Sequence, residues 1–194
     1  MILLLGATGY IGQAFESELK RRGENFVSLS RSQVCYTRFQ PLYDYLKSNK
    51  PSFVVNAAGY TGKPNVDACE VAKADCLQGN TLFPQALANA CAALDIPWGH
   101  VSSGCIFAGC WVNTANGWVV EKDMTKPEIQ ELAKNSPEKL RGFDEDMTPN
   151  FSFRDQPCSF YSGTKALGEE AINGVGQNYI WRLRIPFDHF DNHR

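Results

Sequence analysis

A tyrosine and a lysine stand four residues apart in the segment Y-S-G-T-K, at Tyr161 and Lys165. On a helix this spacing puts both side chains on one face. Tyr161 could then give its proton to a carbonyl oxygen, while Lys165 lowers the pKa of the phenol by favouring the phenolate. Ser103 follows a predicted strand, at the sheet edge where α/β proteins bind ligands, and would hydrogen-bond to the same oxygen. A Y-x-x-x-K spacing occurs by chance in many helices, but the three residues together predict reduction of a carbonyl group.

Three glycines form a turn near the start of the chain, after the apolar run Ile2–Leu5 and before a helical pattern. Glycine allows the tight bend, lets the backbone approach a pyrophosphate and permits close packing of helix on strand. The first N–H groups of the helix are available to phosphate. A tight turn without a ligand is the less favoured alternative. We predict that a dinucleotide binds here, at Gly6, Thr8, Gly9, Tyr10, Ile11 and Gly12.

The residues after the second predicted strand indicate which nicotinamide cofactor is used. An acidic residue there would hold the ribose 2′-hydroxyl of NAD. The sequence instead reads S-L-S-R-S from Ser28 to Ser32, without a carboxylate. Ser30 and Arg31 could bind a 2′-phosphate through charge-assisted hydrogen bonds, so we predict NADPH, with NADP preferred over NAD. A solvated loop arginine is the alternative interpretation of Arg31.

Strands and helices alternate along the chain, which is typical of a parallel sheet covered on both faces. Short apolar runs predict five strands, at residues 2–5, 26–29, 53–56, 96–102 and 179–185. Helical spacing follows the glycine turn and recurs at 42–46, 82–94 and 161–172. We predict an α/β fold with a doubly wound parallel sheet, strand order 3-2-1-4-5, and an active site at the carboxyl ends of the strands.

Residues 1–194 are predicted to form one Rossmann-like NAD(P)-binding domain with a polar insertion at about 110–156. The insertion shows one short helical pattern, at 128–133. We expect it to lie beside the sheet as a flap, because it is too polar to supply a second core.

Composition and charge exclude several classes of protein. The 194 residues are 43% hydrophobic and carry a formal charge of −2, which gives no basic surface for nucleic acid. No apolar run approaches the roughly 18–20 residues of a membrane helix, and the first residues do not form a signal peptide. The seven cysteines, an odd number without a C-x-x-C pair, predict reduced thiols, no metal site and a cytoplasmic protein.

Several longer motifs carry a resemblance to a known family. They are N-A-A-G at 56–59, T-G-K-P-N-V-D-A-C-E at 61–70, G-C-I-F at 104–107, D-M-T-P-N-F at 146–151, S-F-Y-S-G-T-K at 159–165 and R-L-R-I-P at 182–186. With them the chain resembles an extended short-chain dehydrogenase/reductase of the dTDP-4-dehydrorhamnose reductase-like branch. It is most similar to the plant-type 3,5-epimerase/4-reductases of UDP-rhamnose synthesis.

The resemblance implies an NADPH-dependent reductase of a nucleotide-linked 4-keto-6-deoxyhexose, which makes UDP- or dTDP-rhamnose. Tyr161 and Lys165 would be the catalytic pair and would also contact the cofactor. Asn80 would help to order the site, and the backbone at Ile185 would line the nicotinamide. Residues bordering the adenosine and ribose would be Ala57, Ala58 and Gly59. The partner would be the nucleotide-sugar substrate, and a homodimer is one option for the assembly.

Cys105 is the residue that the resemblance connects with epimerase activity. A ketone acidifies the neighbouring C–H bonds. Hydrogen bonds from Ser103 and Tyr161 to its oxygen would therefore serve both reduction and epimerisation. In the related epimerase-reductases a cysteine two residues after the catalytic serine or threonine takes part in proton transfer, and Cys105 matches that position. The alternative is a buried apolar cysteine at a strand end.

The resemblance also implies elements beyond Arg194 that grip the sugar nucleotide and supply a second acid/base group for epimerisation. The last residues, 188–194, follow the fifth strand without a capping element. A second class of function is therefore an NADP-binding regulatory subunit without catalysis, as in the beta type of methionine adenosyltransferase. The presence of Ser103, Tyr161 and Lys165 favours the enzyme.

Overall fold

The computed structural model describes residues 1–186, in which short strands alternate with helices. The strands are β1 (Ile2–Leu5), β2 (Phe26–Leu29), β3 (Phe53–Asn56), β4 (Trp98–Ser103), β5 (Cys110–Thr114), β6 (Gly117–Glu121), β7 (Leu140–Arg141) and β8 (Asn178–Leu183). The helices are α1 (Tyr10–Arg22), α2 (Phe39–Asn49), α3 (Lys73–Leu77), α4 (Phe83–Ala93), α5 (Pro127–Asn135) and α6 (Phe160–Ile172). Residues 188–194, the predicted uncapped end, lie outside the described residues.

Five of these strands form a central sheet in the order β2-β1-β3-β4-β8, and each neighbouring pair is parallel. The predicted α/β class with a parallel sheet is thus confirmed. The predicted order 3-2-1-4-5 is wrong, because β3 pairs with β1 on the side away from β2. Three consecutive residues of β3 are buried, whereas β2 is buried only at Leu29. The more deeply buried β3 therefore takes an interior position, and β2 takes the edge of the sheet.

Apolar residues cover the two faces of the sheet in alternation. Leu3 and Leu5 pack on one face with residues of α2 and α4. Leu4 faces the other way and packs with Leu19 of α1 and with Trp181 of β8. Because successive side chains of a strand point to opposite faces, the continuous run in β1 serves both layers. The sheet is therefore doubly wound, and its rigid frame holds the loops at the carboxyl ends of the strands.

The insertion is more structured than its polarity suggests. β5, β6 and β7 form a separate antiparallel sheet in the order β6-β5-β7, and α5 confirms the helix predicted at 128–133. Cys110, Val112 and Ile129 form a small buried cluster between this sheet and α5. The three strands have two to five residues each, and β6 buries none of its residues, so the sequence pattern did not indicate them.

The structure adds three observations on other predicted properties. All seven cysteines are free thiols, and residues 1–186 contain no cluster of three or more His, Cys, Asp or Glu side chains suited to a metal ion. Over the same residues, each helix is too short or too polar to cross a bilayer.

Candidate active site

The glycine turn between β1 and α1 is packed tightly against the loop after β3. Gly6 has a φ of +81°, and a Cβ there would lie 2.5 Å from the backbone nitrogen of Ala58. A Cβ on Gly12 would overlap the carbonyl of Gly6. Gly9 precedes α1 as its N-cap, and its N–H donates to the Gly6 oxygen at 3.0 Å. Close backbone packing thus requires glycine at two of the three positions.

A groove runs along this turn at the carboxyl ends of β1 and β3. Predicted cofactor residues that line it are Gly6, Thr8, Gly9, Arg31, Ala57, Ala58 and Gly59. Of the other predicted cofactor residues in the described chain, Tyr10 and Ile11 are partly buried in the first turn of α1 and are not among the lining residues of this groove. The structure therefore brings the two glycine-rich loops together as one surface.

Aromatic residues missed by the sequence reasoning close one side of the groove. Tyr36 is only 4% exposed, and its ring centroid lies 5.5 Å from that of Phe83. The Gly6 backbone is hydrogen-bonded to the Tyr36 phenol, although burial raises the pKa of this phenol overall. Tyr36 follows β2 in an irregular loop, where sequence periodicity gives no signal.

The end of β2 supplies the polar end of a second groove that adjoins the first. This groove is lined by Ser30 and Arg31, and on the α1 side by Glu16. The Ser30 hydroxyl is 2.8 Å from that of Ser32, and Arg31 is exposed. Glu16 forms an ion pair with Lys20 at 3.1 Å, so its negative charge is already compensated. The arginine is the free cation at this end of the described groove.

Helix α6 places the tyrosine and the lysine against the end of β4. The Ser159 hydroxyl accepts a hydrogen bond from the Ser162 N–H and starts the helix. In the same first turn, the Tyr161 phenol lies beside the Ser103 hydroxyl, which acts to lower the phenol's pKa. The Lys165 ammonium donates to the Val101 carbonyl at 3.2 Å. Tyr161, Lys165 and Ser103 are all less than a tenth exposed, so the three predicted residues form one buried cluster.

Burial dominates the electrostatics of this cluster. It raises the pKa of Tyr161 to about 12, against the lowering effect of the hydrogen bond with Ser103. It lowers the pKa of Lys165 to about 8, while Glu169 acts in the opposite direction. The pKa of the phenol is therefore raised overall, not lowered as the sequence analysis predicts, because removal from water disfavours the phenolate. Tyr161 consequently keeps its proton at neutral pH.

Asn80 connects the loop after β3, which lines the first groove, with α6. It lies in a π-helical turn, Gln78–Leu82, where its amide donates to the Tyr60 carbonyl at 2.8 Å and its oxygen accepts from the Tyr60 N–H at 2.9 Å. The same amide lies 3.3 Å from the Thr164 hydroxyl on α6. A Cβ on Gly59 would be 3.2 Å from the Asn80 oxygen and 3.4 Å from the Lys165 ammonium. Asn80 thus fixes the loop that lines the groove.

Cys105 lies beside the predicted catalytic pair. It belongs to the short helical turn Gly104–Ile106 after β4, and its N–H donates to the Ser103 hydroxyl at 3.2 Å. Its side chain is half-buried and packs on a cluster that includes Tyr161 and Cys69. This thiol therefore borders Tyr161 and remains partly exposed, unlike Cys69, which is fully buried.

Ile185 follows β8 with a backbone conformation unusual for a β-branched residue. Its φ is +47° and its side chain is 77% exposed. It lies at the same carboxyl edge of the sheet as Ser103, which pairs with Leu183 in the strand register. Its side chain is not among the lining residues of the two grooves of the described chain.

The sequence relationships agree with this geometry. Residues 1–139 match the family described as RmlD substrate binding domain. The chain belongs to the RmlD substrate binding domain family. A bifunctional dTDP-4-dehydrorhamnose 3,5-epimerase/dTDP-4-dehydrorhamnose reductase of Arabidopsis thaliana is 30% identical over 184 residues, which is 95% of this chain and 51% of that protein. A trifunctional UDP-glucose 4,6-dehydratase/UDP-4-keto-6-deoxy-D-glucose 3,5-epimerase/UDP-4-keto-L-rhamnose-reductase of the same plant is also 30% identical, with 23% of its length covered.

Solved structures of similar proteins show the same fold. The UDP-rhamnose synthase of Acanthamoeba polyphaga mimivirus aligns with 95% of this chain at a TM-score of 0.72 and 23% identity, over 56% of its own length. A dTDP-4-dehydrorhamnose reductase from Bacillus anthracis in complex with NADP aligns with 98% of this chain at a TM-score of 0.71 and 18% identity, over 55% of its length. The resemblance stated from the motifs is thus confirmed. This RmlD-family chain spans about half the length of the bifunctional relative and of these two structures.

Proposed function

We propose that this chain binds NADPH and carries the reducing centre for a nucleotide-linked 4-keto-6-deoxyhexose. The observation that carries the proposal is the buried cluster of Tyr161 and Ser103, with Lys165 one helical turn from the tyrosine. This cluster lies at the same edge of the sheet as the glycine-lined groove. The names of the relatives, which are reductases and synthases of rhamnose nucleotides, support the substrate class.

The groove suits a dinucleotide with a 2′-phosphate. The N-terminus of α1 has no side-chain cap, and its first backbone N–H groups would face a pyrophosphate. Arg31 and Ser30 stand at the end of β2, where they would hold the additional phosphate of NADPH and give it preference over NADH. Bound NADPH would supply a hydride to the ketone carbon.

The residues of the buried cluster would handle the ketone oxygen and its proton. Tyr161 holds a proton that it can donate, since burial raises its pKa to about 12. Ser103 would orient the oxygen by a hydrogen bond. Lys165, protonated below about pH 8, would favour the phenolate that remains after the proton has left.

We further propose that Cys105 takes part in 3,5-epimerisation. The hydrogen bonds from Ser103 and Tyr161 to the ketone oxygen, which would serve reduction, would also make the C–H bonds on either side of the ketone more acidic. The half-buried Cys105 thiol borders Tyr161 and would exchange protons at one of these carbons. A pure reductase has no need of an acid/base group at this position, which makes Cys105 the residue that distinguishes the two activities.

The test is incubation of the full chain with UDP-4-keto-6-deoxyglucose and NADPH in deuterated water, followed by NMR of the sugar. We expect oxidation of NADPH and deuterium at C3 and C5, with loss of the deuterium but not of NADPH binding in Cys105→Ser. Reduction without deuterium would refute the epimerase and leave a reductase. Tight NADPH binding without turnover of the UDP or the dTDP sugar would refute the reductase and favour a regulatory subunit.

A further inference from the structure

A buried ion pair lies behind the catalytic helix and has no role in the function proposed above. The Arg182 guanidinium on β8 donates two hydrogen bonds to the Glu169 carboxylate on α6, at 2.8 and 3.0 Å to the same oxygen. Their side chains are 23% and 6% exposed. Arg182 also donates to the Glu145 carbonyl at 2.8 Å, within the insertion. A buried pair of this kind is a poor source of stability, so a role in the site must be considered.

The position of Glu169 relates it directly to Lys165. The two residues are four apart on α6 and therefore stand one turn apart on the same face of the helix. Both contact β4, Lys165 through the Val101 carbonyl and Glu169 through the Ser102 hydroxyl. Tyr161, one turn earlier, contacts the next residue of that strand, Ser103. Helix α6 thus places three side chains, each one turn from the next, against three consecutive residues at the end of β4.

We propose that Glu169, anchored by Arg182, is a positioning residue that holds Lys165 in its protonated form against the end of β4. The inference rests on the proposed function, in which Lys165 serves the reacting centre. Glu169 itself touches neither groove of the described chain, and it would act on the reaction only through the lysine.

The charges around Lys165 support this assignment. On β4 the buried His100 stays neutral, because burial and the nearby Lys165 hold its pKa well below the usual range. On α3 the Cys76 thiol is near the ammonium, and on α6 the Tyr161 phenol is protonated below about pH 12. Glu169 is the carboxylate that opposes the effect of burial on Lys165. Arg182 pairs with the same carboxylate, and its positive charge should weaken the effect of Glu169 on the pKa of Lys165.

Two substitutions should move the pKa of Lys165 in opposite directions. Glu169→Gln keeps a hydrogen-bonding side chain but removes the negative charge and leaves the Arg182 cation uncompensated. We expect the pKa of Lys165 to fall by about one unit or more. Arg182→Gln removes the competing cation, so the pKa should rise. Mere damage to packing would not produce shifts of opposite sign.

The readout is an NMR titration of lysine ¹³Cε signals in the full chain without cofactor or substrate, with Lys165 assigned from Lys165→Met. Glu170→Gln is the matched control, because Glu170 is exposed and pairs with Arg154 on the outer face of α6. It should leave the titration unchanged. In the turnover assay, Glu169→Gln should shift the alkaline limb of the rate profile to lower pH.

The proposal is overturned if folded Glu169→Gln titrates like the parent protein, or if both substitutions shift Lys165 the same way. If Glu169→Gln does not fold, the pKa of Lys165 in Arg182→Gln decides the question, and a pKa that does not rise overturns the proposal. If neither variant folds, the proposal is overturned in favour of a purely structural role for the pair. The titration needs no substrate. It can therefore overturn the role of Glu169 without refuting the reductase, and the turnover assay can refute the reductase without affecting the titration result.

Discussion

Gly6 and Gly23 offer a matched test of the glycine turn, because both have a positive φ and only one meets another part of the chain. Gly23 ends α1 with a φ of +68°, and a Cβ there would find no atom within 4 Å. Gly6 has a φ of +81°, and its Cβ would lie 2.5 to 2.7 Å from backbone atoms of Ala57 and Ala58. The difference between the two alanine variants therefore measures the close approach of the two loops.

The expected losses follow from these contacts. An alanine in the left-handed region costs about 1 kcal/mol, which is the full loss predicted for Gly23→Ala. Gly6→Ala adds an overlap with backbone that cannot rotate away, about 1–3 kcal/mol more. The total loss of unfolding free energy for Gly6→Ala is thus about 2–4 kcal/mol. Because the overlap displaces the wall of the groove, NADPH binding should weaken about tenfold or more in this variant alone.

Urea unfolding followed by circular dichroism gives the two free energies, and titration with NADPH fluorescence gives the two affinities. Equal losses of stability in Gly6→Ala and Gly23→Ala would show that the loops do not meet as described. An unchanged NADPH affinity in Gly6→Ala, with the stability difference present, would refute the placement of the cofactor in this groove.

Three other predictions concern single side chains. Tyr161→Phe should lower single-turnover oxidation of NADPH by about 10²–10⁴-fold while NADPH affinity stays the same; retained turnover would exclude Tyr161 as the acid. Arg31→Ala should weaken NADPH by about tenfold or more and leave NADH unaffected in parallel titrations, whereas equal effects on both would mean that Arg31 does not bind the 2′-phosphate. Lys165→Met should stabilise the protein by about 3 kcal/mol near pH 7, because burial lowers the lysine pKa from 10.5 to about 8 and the charged form is penalised. The gain should shrink as the pH rises above 8, since the native lysine then loses its proton before the unfolded one; urea unfolding at pH 7 and pH 9 tests this, and a gain independent of pH would contradict the burial argument.

Periodicity in the sequence predicts where the strands and helices lie, but it does not predict which strands are neighbours in the sheet. All five parallel strands are predictable from short apolar runs, and five of the helices, α1, α2, α4, α5 and α6, from their spacing. Which strands are neighbours depends on how apolar surfaces compete for the interior of the sheet. β3 is buried at three consecutive residues and β2 at one. That difference is weak in a run of four residues, so the familiar dinucleotide-binding order was predicted and the observed order was not.

The site was predictable in its residue types and less so in its electrostatics. Ser103, Tyr161 and Lys165 meet as expected, because strand ends and helix faces follow from the sequence pattern. The raised pKa of Tyr161 does not follow, since it depends on burial of the phenol among groups distant in sequence. Tyr36 was missed for a related reason, as it reaches the groove from an irregular loop that carries no periodic signal.

The loop at Gly59 connects the glycine-lined groove with α6. A Cβ on Gly59 would stand 3.2 Å from the Asn80 oxygen and 3.4 Å from the Lys165 ammonium, so a larger residue would crowd both side chains. Asn80 holds the next residue, Tyr60, through both of its backbone polar groups. A cofactor that presses on this loop would therefore meet a wall already fixed to α6 by Asn80. If the groove binds the cofactor as proposed, binding and proton transfer would share this one contact.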